Sequence, residues 1–276
     1  MQVAIMGATG TLGQALLRRF PDAIAFSRDE LKQQMLKLTF PEAKWMIGDI
    51  RDFERVLDVL KGVDHVFHVA ALKHIDVIEF NPIEAFKTNI QGTINIAKAC
   101  IQNGVPYCSF SSTDKAVHPV NAYGHTKALC ESYLRSLNGN YGTVFSIFRW
   151  GNVFGSRGSA VISFANSLKT LGTAKITHKD MTRFWIHIED AVDFMLAQSK
   201  LPGIHIPAMK ASKVSRVIDA IADALGVQGY HVETIGIRPG EKIHETINIV
   251  KGKALTSENA EQFSNRELQE LVARVI

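Results

Sequence analysis

Gly7-Ala-Thr-Gly-Thr-Leu-Gly13 follows directly on an apolar run, Gln2–Met6, and opens a helical stretch, Leu12–Phe20. Strand, glycine turn and helix in that order commit the chain's start to a βα unit. The glycines permit a tight turn and let the backbone approach a pyrophosphate, and the helix N-terminus adds N–H donors and a favourable dipole. A tight strand–helix turn without a ligand is the plainer alternative. Further short β-type runs lie at Ala23–Phe26, Trp45–Ile47, Val63–Val69, Pro106–Phe110 and Val144–Phe148, with helical stretches between them. This rhythm predicts a Rossmann-like, doubly wound parallel sheet covered on both faces, in the α/β class.

Pro82–Ile101 reads as one helix, with Asn81 as N-cap, Pro82 at the first helical position, Glu84 three residues after the cap and Gly104 as the stop. A second helix is predicted over Asn121–Leu137. Beyond about residue 151 the pattern loosens, with helices expected at 189–199 and 212–225 and strands near 203–207 and 231–235. The expected division is a dinucleotide-binding domain over 1–150, to which 189–207 returns, and a small C-terminal substrate-binding lobe over 151–276.

The chain's 276 residues, 46% hydrophobic and 21% charged, fit an ordinary globular protein. A net charge of +4 does not argue for nucleic acid and suits a small anionic substrate. No run reaches membrane-spanning length, and residues 1–20 do not form a signal peptide. Cys100, Cys108 and Cys130 lack metal-like spacing and read as reduced thiols, so a cytoplasmic protein is expected. His65 and His68 lie three apart on a predicted strand and face opposite sides, which argues against a metal.

The dinucleotide site is expected to take in Gly7, Thr9, Gly10, Thr11, Leu12 and Gly13. At the tip of the second strand, Ser27 and Arg28 stand where a site for NAD usually places an acid. An arginine there pairs with a 2′-phosphate, which favours NADP and leaves NAD possible; a solvated charge is the alternative. Asp49, beside Ile50, either holds the adenine or caps the next helix. Tyr123 and Lys127 are four apart, hence on one helical face. They follow Ser111-Ser112-Thr113 at a strand carboxyl end, where open parallel sheets bind ligands. A phenol titrates near pH 10, and a neighbouring ammonium with an oxidised nicotinamide favours the phenolate, so Tyr123 is the candidate base and Lys127 also holds the nicotinamide ribose. Asp114 and Lys115 add a second acid and amine, which removal of water from a sugar needs and a simple alcohol dehydrogenase does not. A surface ion pair is the alternative for that pair.

These segments make the chain resemble the extended short-chain dehydrogenase/reductases, and among them the inverting UDP-N-acetylglucosamine 4,6-dehydratases of the pseudaminic acid pathway. The matching stretches are Ser27-Arg-Asp-Glu-Leu-Lys-Gln33, Ala70-Ala-Leu-Lys-His74, Lys87-Thr-Asn89 and Ser112-Thr-Asp-Lys-Ala116. Gly151-Asn-Val-Phe-Gly-Ser-Arg-Gly-Ser159, Met181-Thr-Arg-Phe-Trp185 and Ile237-Arg-Pro-Gly-Glu-Lys242 continue them. The resemblance implies NADP, a UDP-sugar substrate and a homo-oligomer. It also implies catalysis by Thr113, Asp114, Lys115, Tyr123 and Lys127. In that scheme Tyr123 takes the O4 proton, Lys115 the C5 proton, and Asp114 helps the C6 hydroxyl leave. Tyr123 itself favours the inverting group, since retaining relatives often lack it.

By the same matching, Ala70, Ala71, Lys73, Asn89 and Ser111 join the cofactor site. Asn89 supports the active-site lysine or else faces solvent. Lys73, Thr113, Asn152, Arg183, Arg238 and Glu241 contact substrate, although Pro239-Gly240 reads equally as an ordinary turn with Arg238 exposed. Phe184 and Trp185 read as lobe core more readily than as a substrate wall, and His118 and His125 as local polar residues. The chain is shorter than the family, with the second-strand region and carboxyl end trimmed, and the charged, helical-looking residues 251–276 match poorly. A 4-epimerase or simple oxidoreductase on a UDP-sugar is the enzymatic alternative; it has little use for Asp114 and Lys115. A nucleotide-binding sensor or scaffold without catalysis is the other.

Overall fold

A computed structural model describes residues 1–156 and 158–276; Arg157, within the 151–159 run, lies outside them. Two compact units divide the chain: Met1–Arg149 with Val192–Ile206, and Trp150–Ala191 with Pro207–Ile276.

The first unit begins β1 (Val3–Met6), α1 (Thr11–Arg19), β2 (Ile24–Ser27), α2 (Glu30–Leu36), β3 (Lys44–Ile47), α3 (Phe53–Val59) and β4 (His65–His68). It continues through α4 (Ile75–Phe80), α5 (Pro82–Ala85), a π-helical segment (Phe86–Gln91) and α6 (Gly92–Gln102). Then come β5 (Tyr107–Ser111), a 3₁₀ turn (Asp114–Ala116), α7 (Ala122–Leu137) and β6 (Val144–Phe148). The second unit opens with β7 (Asn152–Phe154), α8 (Ala160–Leu171), β8 (Thr173–Ile176) and β9 (Thr182–His187). Within α9 (Ile188–Gln198) the chain returns to the first unit, which ends on β10 (Gly203–His205). β11 (Ala211–Lys213), α10 (Val214–Leu225), β12 (His231–Thr234), β13 (Thr246–Val250), β14 (Lys253–Thr256) and α11 (Asn265–Ala273) complete the second.

Seven parallel strands form the main sheet in the order β3-β2-β1-β4-β5-β6-β10. The order reverses at β1, between β2 and β4, so a crevice opens beyond the carboxyl ends of β1 and β4. The glycine loop and residues 69–73 leave the sheet at that point. β1 is buried along its whole length, as a strand covered on both faces must be. Ala4, Met6, Val66, Cys108, Phe110 and Phe145 pack with Val56 and Val59 of α3, Ile96 and Cys100 of α6 and Cys130 and Leu134 of α7. All three cysteines are buried free thiols.

The six strand runs read from the first half of the sequence are all present. The single helix over Pro82–Ile101 is not. Pro82 does begin a helix, but the Asn81 side chain donates to the Val77 carbonyl at 2.9 Å and does not cap it. Residues 86–91 widen into a π-helical segment before α6 resumes. Gly104 ends the run with φ +64°. Periodicity sees apolar spacing, and one extra residue per turn disturbs it too little to be noticed.

In the second unit β9 lies between β7, parallel to it, and β11, antiparallel. Phe154 and Trp185 meet edge to face at 5.4 Å, over a core that includes Val217, Ile221 and Leu268. Phe184 is fully buried beside Trp185, so both are lobe core. Residues 251–276 are helical only in part: Lys253–Thr256 pairs with β13 as a hairpin, and α11 starts on a capping box of Ser264 and Glu267. No helix among the described residues is long and apolar enough to cross a membrane.

Candidate active site

Gly7 has φ +101°, and a Cβ on it would lie 2.7 Å from the Ala70 backbone. Only glycine satisfies both demands. The loop is tied to the next strand by the Gly7 and Ala8 amides, which donate to the Phe26 carbonyl at 2.9 and 3.1 Å. Gly10 is the helix N-cap; no side chain caps α1 and no acid lies in its first turn. An anion at Thr11, Leu12 and Gly13 therefore meets amide dipoles without an opposing carboxylate. That chemistry fits a dinucleotide's pyrophosphate.

The tips of β2 and β3 adjoin through Gly48 N–H to the Ser27 carbonyl at 3.1 Å. Gln33, which sequence reasoning passed over, clasps them: its amide donates to the Ser27 carbonyl, the Ser27 hydroxyl and the Met46 carbonyl at 2.8, 3.1 and 2.9 Å. Asp49 does not cap the next helix; Asp52 does. The Asp49 carboxylate instead accepts the Arg51 amide at 3.0 Å and Arg51 Nε at 2.9 Å, with Arg28 at 3.7 Å. Burial raises its pKa and the arginines lower it, with a net lowering. Half-exposed Arg28 thus stands at the strand tip next to a second basic residue that the sequence did not single out. Ile50 is buried against Gly92 of α6.

Asn89 lies in the π-helical segment, a distortion frequent at functional sites. It is buried and does not face solvent. Its side chain accepts the Leu72 amide at 2.8 Å and donates to the Leu72 carbonyl at 3.0 Å and to Thr126 Oγ1 at 3.1 Å. It anchors the loop of Ala70, Ala71 and exposed Lys73 to α7.

α7 starts where Asn121 Oδ1 accepts the Gly124 amide at 2.7 Å. Lys127, one turn on, is buried and donates from Nζ to the Ser111 carbonyl at 2.7 Å, over the Phe110 ring at 4.2 Å. Burial pushes its pKa down to about 8, against smaller opposing effects of Cys130 and Glu131. Burial pushes the Tyr123 phenol up to about 12; the Lys115 charge and the Thr113 hydroxyl pull it down and Asp114 pulls it up. The Lys115 ammonium acts on the phenol, and Lys127 rests its own ammonium on the Ser111 carbonyl.

Asp114 is wholly buried, and Lys115 is partly buried over it. Asp114 Oδ1 accepts from Lys115 Nζ and from Thr113 Oγ1, each at 3.0 Å. The surface ion pair is therefore ruled out. Thr113, Asp114, Lys115 and Tyr123 form one cluster at the carboxyl end of β5. A further group beneath it was not anticipated. Glu131, two turns after Tyr123, accepts from Ser112 Oγ at 2.5 Å and from Arg149 Nε at 3.1 Å. Its i+4 spacing from Lys127 was the available signal.

His65 and His68 bind separate hydroxyls, Ser109 and Thr93, each at 2.9 Å. His118 and His125 are exposed.

In the second unit, Arg183 is buried and donates to the carbonyls of Thr182, Ile243 and Lys242 at 2.7, 3.0 and 3.0 Å. It joins the 181–185 and 237–242 motifs, a structural task beside the expected substrate contact. Glu241 accepts the Arg238 amide at 3.2 Å across the Pro239-Gly240 turn, leaving Arg238 exposed. Asn152 begins β7, half-buried.

This arrangement defines a Rossmann-type protein with a Tyr/Lys pair and an adjoining buried acid–amine pair. The chain belongs to the polysaccharide biosynthesis protein family, whose model matches residues 3–267. It is 42% identical over 259 residues to an inverting UDP-N-acetylglucosamine 4,6-dehydratase of Campylobacter jejuni, covering 88% of this chain and 76% of that one. A UDP-glucose 4-epimerase of Rickettsia canadensis is 37% identical over 263 residues, with the same coverage. Among solved structures, Pen from Bacillus thuringiensis is 31% identical, with a TM-score of 0.93 over 99% of this chain and 97% of that one.

Proposed function

We propose that this protein is an NADP-dependent, inverting UDP-N-acetylglucosamine 4,6-dehydratase. The observation that carries the reading is the buried Asp114–Lys115 pair, 3.0 Å apart, beside the Tyr123 phenol. The glycine loop, residues 7–13, and Lys127 would hold the dinucleotide, which when bound would supply the hydride acceptor for C4 and donor for C6 and a positive charge that favours the phenolate.

Tyr123 Oη takes the O4 proton as the ketone forms. Thr113 Oγ1, within reach of both Asp114 and Tyr123, orients O4. The C4 ketone acidifies the C5 proton, which Lys115 Nζ removes. For this, the Lys115 ammonium first passes a proton to the Asp114 carboxylate across their 3.0 Å contact; neutral Lys115 then takes the C5 proton and Asp114 gives its proton to the departing C6 hydroxyl, which restores the ion pair. A proton drawn from solvent adds to C5 from the opposite face and gives the inverted 4-keto-6-deoxy sugar. A buried pair suits this work, since an ion pair out of water exchanges a proton at little cost in solvent reorganisation. Lys127 holds the nicotinamide ribose. Arg28, with Ser27 at the strand tip, receives the 2′-phosphate; Lys73 in the first unit, and Asn152, Arg183, Arg238 and Glu241 in the second, are each unit's UDP-sugar contacts by the family resemblance.

We also infer a homo-oligomer working in the cytoplasm. Val77, Phe80, Ile83 and Phe86, on α4, α5 and the start of the π-helical segment, are 54, 88, 64 and 49% exposed, apolar surface that suits burial against a second copy. Sedimentation of wild type and Phe80→Asp tests this; a mass unchanged from monomer in both rejects it.

Incubation with UDP-N-acetylglucosamine in deuterated water, followed by proton NMR and mass spectrometry, tests the activity. Loss of one water, a C6 methyl signal and deuterium at C5 are expected. The similarity to the Rickettsia relative favours a second reading, 4-epimerisation, which inverts C4 without losing water. An intact mass with a changed C4 proton coupling would replace the first reading by the second.

A further inference from the structure

Beneath the reacting groups lies a buried carboxylate that the mechanism above does not use. Glu131 is 4% exposed. Oε1 accepts from Ser112 Oγ at 2.5 Å and Arg149 Nε at 3.1 Å, and Oε2 is bonded to Arg149 Nη2. The three residues come from three elements: Glu131 from α7, Ser112 from the end of β5, Arg149 from the end of β6. Ser112 is also fixed through its backbone, its amide donating to the Phe148 carbonyl at 2.6 Å, and the Arg149 amide donates to the His205 carbonyl at 3.0 Å.

Ser112 occupies a particular place. The residue before it, Ser111, offers the carbonyl on which Lys127 Nζ rests at 2.7 Å. The residue after it, Thr113, holds Asp114 and meets Tyr123. The peptide segment 111–115 therefore carries the rest for one amine and the whole of the other. Its side chain reaching back to α7 at the level of Glu131 is the Ser112 hydroxyl, and it reaches the same helical face that presents Tyr123 and Lys127, eight and four residues earlier.

We propose that the Ser112–Glu131–Arg149 network is a positioning device: it holds the segment bearing Asp114 and Lys115 in register with the helix face bearing Tyr123 and Lys127. The charges support this. A carboxylate buried beside a lysine and unpaired would be costly and mobile; a guanidinium gripping both oxygens fixes it. The groups facing Lys127 are Cys130 and Glu131 on its own helix, His68 on β4, and the Phe110 ring and Ser111 carbonyl on β5. Among these, a change at Ser112 reaches the Ser111 carbonyl through the backbone and Glu131 through the lost hydrogen bond, while Arg149 still grips both Glu131 oxygens.

The proposal rests on the dehydratase reading for its effect on turnover, but not for its effect on Lys127. Removing Glu131 outright would strand a buried arginine and unfold the unit, so the test uses Ser112→Ala and Ser112→Thr. Neither alters any charge. Carbon NMR of lysine-labelled protein, with the Lys127 signal assigned by Lys127→Arg, gives the titration midpoint of that amine. In Ser112→Ala the midpoint moves down, because the ammonium loses an aligned acceptor, and in Ser112→Thr it returns. With UDP-N-acetylglucosamine, Ser112→Ala lowers kcat by about 10- to 100-fold at unchanged KM, as expected for a small misplacement of reacting groups; Ser112→Thr recovers it. A Lys127 midpoint that stays put in folded Ser112→Ala overturns the proposal. So does a kcat within a factor of about two of wild type. If wild type itself does not dehydrate the sugar, the functional reading fails alone, and the Lys127 midpoint still decides the register claim.

Discussion

Two lysines twelve residues apart in the chain serve the same site from different elements, and their surroundings differ. Lys127 stands in the middle of a regular helix, buried, against a carbonyl and an aromatic ring, with its carboxylate neighbour Glu131 already taken by Arg149. Lys115 stands in a three-residue 3₁₀ turn, partly open, with a carboxylate of its own at 3.0 Å. Lys127 rests on a carbonyl and not on an acid, so the proposed mechanism gives it a holding role. Lys115 has one in direct contact, so it can pass a proton and be restored. The helix supplies a rigid platform, and the turn supplies the exchange.

The sharpest way to break this comparison is to disable each side separately. Tyr123→Phe should lower turnover by about 100- to 10,000-fold, and substrate should then leave the nicotinamide oxidised. Asp114→Asn and Lys115→Met should lose dehydration by a similar factor while substrate still reduces the nicotinamide, seen as near-ultraviolet absorbance without release of water. Equal loss of both steps in all three variants would deny the turn its separate role. Gly124→Ala attacks the joint between the two regions. A Cβ there would lie 2.3 Å from the Lys115 carbonyl oxygen and 3.1 Å from the Pro119 ring. Overpacking of this kind costs about 1–3 kcal/mol, whereas alanine in an open helix would stabilise. Thermal unfolding should show a lower Tm, and turnover should fall with it; a raised Tm would mean that the turn does not lean on the helix.

The two regions also differ in how far the sequence revealed them. The parallel sheet was legible because buried strands read as continuous apolar runs and the glycine loop marks where the first one ends. α7 was legible because Asn121 caps it and its apolar face repeats. The acid–amine pair was visible as residue types, but its burial was not: nothing local in Thr113-Asp-Lys115 distinguishes a sealed pair from a surface one. The π-helical segment at 86–91 escaped because its cause is tertiary, the Asn89 amide bonded to Leu72 seventeen residues away. Gln33, Arg51 and Arg149 were missed for the same reason. Each is polar in a local pattern that explains it as surface, and each has a partner on another element: Gln33 on β3, Arg51 at Glu84 of α5, Arg149 at Glu131 of α7. In the second unit Arg183 carried a motif match, yet two of its three carbonyl contacts depend on a loop some sixty residues further on.

The strand tips invite a smaller effect. Arg28→Ala should weaken NADP by about tenfold, the worth of one charge-assisted contact at an exposed site, and leave NAD unchanged by calorimetry. Equal loss for both cofactors would place Arg28 elsewhere than at the 2′-phosphate.

The smallest expected effect returns to Lys127 and asks whether it is as dry as its contacts imply. Its pKa falls from 10.5 to about 8 on burial. Between those values the unfolded chain holds a proton on this amine that the folded chain has released. Stability therefore rises with pH through that window, by at most about 1.4 kcal/mol per pH unit. Below about 8 both states are protonated and the burial cost is borne in full. Tyr123 acts oppositely above its ordinary value of 10.0, since the folded phenol keeps its proton to about 12, so urea unfolding should be followed between pH 8 and 10. Wild type minus Lys127→Met should show the rising slope, because methionine keeps the bulk and removes the proton. A flat difference would mean that water reaches the ammonium, and the contrast between a holding amine and an exchanging one would then rest on the Asp114 partner alone.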